Sequence, residues 1–229
     1  MACHSIHYPT KVVNMPNQFS DGKRPYRSDL RATQAAETRV RVLTAAAAEF
    51  SRRGYAGTSI PAIATAAGVS PETVKLQGAK HELLLAAFEL TFAGREGDAP
   101  IAQDADIQAA IAELTPAELP DFFAATATSF NERGAGLWAA FSAAARSDDA
   151  VAAVHRDLLA RRLEDHALAV DLFAAHGLVT STAPRLELAA ALAHLASPEG
   201  YLLLVEDWGW SIDRYRAGLA ETTLRSVTA

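Results

Sequence analysis

Cys3 is the only cysteine in the 229-residue chain, which excludes an internal disulfide. No Cys/His cluster has zinc-finger spacing, and the pattern fits a reducing compartment. Strand-like alternation is scarce. The opening MACHSIHYPTKVV has no apolar stretch of signal-peptide length, and no segment reads as a membrane span of roughly 20 apolar residues. The expected location is therefore the cytoplasm, without membrane association. Several catalytic signatures are also missing: there is no His-Glu-x-x-His, no Gly-rich phosphate loop and no Gly-x-Ser-x-Gly elbow. The histidines do not supply a metal site by spacing. His155 and His166 lie eleven residues apart on one expected helix, about 16 Å by helical rise, too far to share an ion. No enzyme activity, metal or cofactor is expected.

What is present is alanine, carboxylate and helical periodicity. Half of the residues are hydrophobic and 21% are charged, enough to bury a core. The formal net charge of -6 is unevenly spread. Residues 1–95 carry 12 Lys+Arg against 7 Asp+Glu, or +5, and residues 96–229 carry 9 against 20, or -11. A basic N-terminal part on an acidic body suits a protein that presents one end to phosphate.

The order of helices follows from apolar spacing and from Gly, Pro and Ser punctuation. Residues 1–31 lack periodicity and read as a disordered arm with Lys23, Arg24, Arg27 and Arg31; Met15 is an alternative start. A first helix is expected over about 35–53, with Val40, Leu43, Ala47 and Phe50 on one face and Gly54 as its stop. Thr58 or Ser59 caps a short second helix that turns Ile60, Ile63 and Ala64 inward, and Gly68 ends it. Ser70 caps a third helix with Pro71 at the favoured first position, over about 71–76. A fourth starts near Lys80 and carries Leu84, Phe88 and Phe92. Beyond residues 94–100 helices are expected over about 105–113, 116–131, 135–147, 149–176, 184–196, 198–207 and 212–227, separated among others by Gly134 and Gly136. The fold class is all-α. Three domains are expected: the arm at 1–31, a three-helix helix-turn-helix head at 32–95, and a helical body at 96–229 for ligand binding and dimerisation.

Ala64-Thr65-Ala66-Ala67-Gly68-Val69-Ser70 joins the two short helices by a glycine turn, as a helix-turn-helix does. From Val42 to Phe88 the chain resembles the DNA-binding domain of TetR-family regulators. The resemblance rests on Ala48-Glu49-Phe50, Gly54-Tyr55-Ala56-Gly57-Thr58-Ser59-Ile60, Ile63 through Ser70, Thr73-Val74, and Lys80 followed by Glu82-Leu83-Leu84. A weaker likeness to actinobacterial-type members runs from Leu195 to Leu204 and on to Trp210-Ser211. The chain departs from the family at Lys75-Leu76-Gln77-Gly78, where members carry Tyr-x-His-Phe.

The resemblance implies a dimeric repressor that sits on a near-palindromic double-stranded operator and leaves it when a small-molecule effector binds. By position, Thr58, Ser59, Lys75 and Lys80 are expected at phosphates, and Ser70, Pro71, Glu72, Thr73 and Gln77 at base edges. Phe122, Phe123, Phe130, Trp138, Phe141 and Phe173 each read singly as plain core, and taken together they are candidates for an apolar effector pocket. Leu188, Leu192, Leu195, Tyr201 and Leu204 are candidates for a homodimer interface. The alternative is a ligand- or partner-binding protein that kept the fold but reads DNA poorly because of the altered third helix. The basic head favours the first reading.

Overall fold

The structure, a computed structural model, describes residues 25–229. Every regular element among them is helical, as the scarcity of strand patterning predicts. By packing the chain divides into two units, residues 1–37 and 38–229. In the first, the described residues are helical from Pro25, and the side chains from Leu30 to Glu37 are exposed. Residues 25–31 are therefore not the disordered arm expected; the rest of that arm lies outside the described residues.

In the second unit, α1 (Pro25–Gly57, of which residues 38–57 belong here) is kinked where Gly54 takes φ 68° and ψ 172°. It is followed by α2 (Ile60–Ala67), α3 (Pro71–Lys75) and α4 (Lys80–Ala93). The periodic stripe of α1 buries Val42, Leu43, Ala46 and Phe50, but Val40 is exposed. These side chains meet Ile63 and Ala64 of α2, Val74 of α3, and Leu84 and Phe88 of α4. After short 3-10 turns come α5 (Ala105–Ala112), α6 (Leu119–Ala144) and α7 (Asp149–Ala175). Then follow α8 (Arg185–Leu195), α9 (Pro198–Tyr201), a single π turn at Leu202–Asp207, and α10 (Ile212–Thr228).

The expected break at Gly134 and Gly136 does not exist: α6 runs 26 residues straight through both. Gly134 is there for room. A Cβ built on it would stand 2.7 Å from Phe92 Cδ2, so the missing side chain lets α4 close on α6. The core around α1–α4 accordingly extends beyond the loop at residues 94–100, taking in Leu137, Trp138 and Phe141 of α6 and Val151 and Leu158 of α7.

Two further clusters hold the body together. Leu119, Val170, Phe173, Leu188, Leu192 and Val227 join α6, α7, α8 and α10. Tyr201, Tyr215 and Leu219 pack with Ala124 and Ala135 of α6. Buried Asn131 of α6 donates to the Ala196 carbonyl (3.2 Å) and the Tyr215 hydroxyl (3.4 Å). Residues 185–207 have the length and composition of a membrane-crossing helix, contrary to the sequence expectation. They form two helices instead, broken at Ala196–Ser197, with Leu188, Leu192, Ala196, Ser197 and Pro198 buried in the protein's own interior.

Candidate functional site: a capped surface helix and an interior cavity

Local chemistry sets the turn between α2 and α3. Ser59 Oγ accepts the Ala62 N–H at 3.3 Å to start α2. Gly68 ends it at φ 65°, ψ 38°, a left-handed conformation that a residue without Cβ adopts at little cost. The Val69 N–H then closes onto the Ala64 carbonyl at 3.0 Å, and half-buried Val69 packs on the head core. Ser70 Oγ accepts the Thr73 N–H at 3.1 Å and sits 3.0 Å from the Thr73 hydroxyl. Val74 is wholly buried, so α3 is pinned by one side and shows the other to solvent.

On that outer side Ser70, Glu72 and Lys75 are exposed and Pro71 and Thr73 partly so. Leu76, at the C-cap, is 84% exposed. Ser59 is exposed at the N-cap of α2. Three candidates sit less freely. Thr58 is 2% exposed, and its hydroxyl donates within the α1–α2 corner, with the Glu49 and Gly54 carbonyls at 3.0 and 2.8 Å; it is a corner lock and faces no solvent. Lys80 lays its ammonium 4.2 Å from the centre of the Tyr55 ring, and burial pulls its pKa below the ordinary lysine value, against the field of Asp148. Gln77 is held from behind: Arg39 Nη1 donates to its carbonyl at 2.9 Å while Arg39 Nε donates to Glu96 at 2.8 Å. Arg39, which the sequence reading passed over, thus ties the end of α3 to the loop after α4.

The body contains a cavity of about 270 Å³. Phe122, Phe123 and Phe130 of α6 and Phe173 of α7 line it, with Phe92 of α4 and Ile107 and Ile111 of α5. The rings interlock: Phe92 stacks on Phe130 at 5.0 Å, and Phe123 meets Phe173 edge-on at 6.0 Å. Trp138 and Phe141 are not part of this wall. They face the head, where Phe88 packs on both, because they lie two to three turns further along α6.

One end of the cavity is polar, formed by Arg162, Asp165 and His166 on adjoining turns of α7. His166 Nδ1 donates to the Arg162 carbonyl at 2.6 Å. Burial pushes its pKa down to about 4, the bond to Arg162 opposing, so the ring is neutral at pH 7. Asp165 Oδ1 accepts the Ile101 N–H at 2.8 Å; burial raises its pKa, and the Ile101 and Ala102 amides, with Arg95 and Arg161, pull it back. Next to this end, Arg161 pairs with Glu89 of α4 at 2.8 Å, linking the cavity wall to the helix that follows α3. No cluster of metal-ligating side chains occurs among the described residues.

Of the interface candidates on α8 to the π turn, Leu188, Leu192 and Tyr201 are 6%, 0% and 5% exposed and belong to the protein's own core. Leu195 and Leu204 are partly exposed. The large apolar groups open to solvent in this stretch are Leu186, Leu203 and Trp208.

Residues 42–77 match the sequence profile described as "Bacterial regulatory proteins, tetR family". No curated protein matches the chain. Among solved structures, one assigned as a TetR-family transcriptional regulator from Rhodococcus sp. is similar at 19% identity and TM-score 0.65, over 85% of this chain and 100% of that one. A transcriptional regulator FadR from Bacillus subtilis, in complex with stearoyl-CoA, is similar at 14% identity and TM-score 0.65, over 82% and 98%. One assigned as a transcriptional regulator from Saccharomonospora viridis, in complex with choline, is similar at 21% identity and TM-score 0.60, over 81% and 95%. At these identities the likeness to the solved structures is one of fold.

Proposed function

We propose that this chain, whose residues 42–77 match the profile of the tetR family of bacterial regulatory proteins, is a DNA-binding transcriptional regulator and not an enzyme: a cytoplasmic, dimeric repressor released from its operator by a small molecule. The observation that carries this reading is α3: a helix capped by Ser70, anchored by Val74 and open along Ser70, Glu72 and Lys75. Its N-terminal end reads base edges through Ser70, Pro71, Glu72 and Thr73, and Lys75 and Ser59 meet phosphate. Thr58 and Gln77 act from behind, holding the reading helix in place, and Lys80 is a weaker phosphate contact than Lys75 because Tyr55 already shields it. Two copies set α3 in successive major grooves, roughly 34–36 Å apart. Residues 32–95 are the reading head and 96–229 the sensing and dimerising body, with Leu195, Leu204 and the exposed Leu186, Leu203 and Trp208 as the dimer contacts.

The effector occupies the aromatic cavity. Two of the structures similar to this one hold organic ligands, choline and stearoyl-CoA, and a small-molecule effector is what we carry over from them. Filling the cavity moves α7 against α6, and the Arg161–Glu89 pair passes that movement to α4 and so to the spacing of the two α3 helices. A gel-shift titration with salt on the promoter fragments beside its own gene tests the DNA reading. Specific binding should weaken steeply with salt, and Lys75→Ala should reduce the slope of log K against log salt by about one. One observation favours the second reading, a fold that no longer reads DNA: α3 has only five residues and ends on an exposed Leu76. Absence of any shift at low salt would select it.

A further inference from the structure

Arg162 lines the cavity and is partly buried, yet no carboxylate oxygen among the described residues lies within ion-pairing distance of it. Its guanidinium lies over the Trp138 ring at 4.6 Å from the centre. The two carboxylates whose fields reach it, Glu199 and Asp165, are engaged elsewhere. Glu199 Oε1 accepts the Trp138 indole N–H at 2.6 Å, and Asp165 accepts the Ile101 amide. A guanidinium stays protonated even when burial lowers its pKa. A charge drawn from water without a hydrogen-bonded counter-ion is costly, and a ring face offsets only part of that cost and accepts none of the in-plane N–H bonds. No acceptor among the described residues takes a hydrogen bond from its five N–H donors, which are left to whatever enters the cavity.

Apart from Asp165 and His166 beside it, and Gln103, Gln108 and Thr126, the wall is apolar. We propose that the cavity takes an amphiphilic anion, a carboxylate on a hydrocarbon tail, whose head pairs with Arg162 while the tail lies among Phe92, Phe123, Phe130 and Phe173. This deepens the small-molecule reading given above and rests on it. Planar carboxylate is the group that a guanidinium fork engages with two parallel hydrogen bonds. The volume of about 270 Å³ equals roughly nine waters at about 30 Å³ each, which suits a tail of medium length. A cationic ligand would have to enter beside Arg162, with Asp165 already held by backbone amides.

The test is calorimetric titration of the full-length protein with three probes of equal tail length: octanoate, octan-1-ol and octyltrimethylammonium. Octanoate should bind at least tenfold more tightly than either of the others. Arg162→Met should abolish that preference and Arg162→Lys retain part of it, with circular dichroism confirming that both variants are folded. The wild-type ranking stands even if a variant fails to fold. Equal binding of octanoate and octanol, tighter binding of the cation, or no binding of any probe would overturn the proposal. The gel shift repeated with octanoate separates the two readings. Binding of octanoate without any effect on the DNA complex would leave the ligand class intact and remove the regulatory role.

Discussion

A methyl group on Gly134 would come within 2.7 Å of a ring carbon of Phe92, and Phe92 is both a wall of the cavity and the last aromatic of α4. Gly134→Val should therefore cost about 1–3 kcal/mol by overpacking, read as a lower denaturation midpoint at unchanged m value. His166 gives a pH signature. Its folded pKa of about 4 lies below the ordinary value of about 6.5. The unfolded chain therefore takes up a proton below pH 6.5 that the folded protein refuses until about pH 4. Stability held in full above pH 6.5 should fall across that window by on the order of 2–3 kcal/mol. His166→Phe should remove most of that fall, measured as unfolding free energy at pH 7, 5.5 and 4.5.

The short helices α2 and α3 were legible because their determinants are local. Ser59, Gly68, Ser70 and Pro71 carry their roles within four residues of chain, and of the two candidates for the first cap, Thr58 and Ser59, the structure uses Ser59. What escaped the sequence depends on distant partners. Gly134 reads as a helix stop until Phe92, 42 positions earlier, is seen against it. Thr58 reads as a surface hydroxyl until Glu49 and Gly54 fold over it. Arg39 needs Gln77 and Glu96, and Arg162 stands out only because its neighbours are occupied. The aromatic residues of α6 were divided correctly only by packing: Phe122, Phe123 and Phe130 line the cavity, whereas Trp138 and Phe141 serve the head. Ser70→Ala and Thr58→Val test the same distinction. Loss of the Ser70 cap should cost about 1 kcal/mol and should also weaken DNA binding, because the hydroxyl faces out. Thr58→Val should cost about 1–3 kcal/mol by stranding a buried carbonyl, while the salt slope of DNA binding stays unchanged.

Head and body are not independent as folding units. The apolar core that Phe50, Ile63, Val74 and Phe88 begin is completed by Leu137, Trp138, Phe141, Val151 and Leu158. A fragment of residues 32–95 would leave those contacts open, and burying each large side chain contributes about 1.5–3 kcal/mol. Such a fragment should give little cooperative thermal transition by circular dichroism, whereas the full chain should melt in one step monitored in both near- and far-ultraviolet.

Trp138 sits at the meeting point of these parts, with the Arg162 guanidinium above its ring, Glu199 at its indole nitrogen and Phe88 beside it. An indole's emission colour responds to the field across it, and here that field is set by two opposite charges, one of which belongs to the cavity. The molecule thus carries a built-in optical gauge: anything that draws Arg162 toward itself unbalances the pair, and Trp138 should change colour before a single helix has shifted.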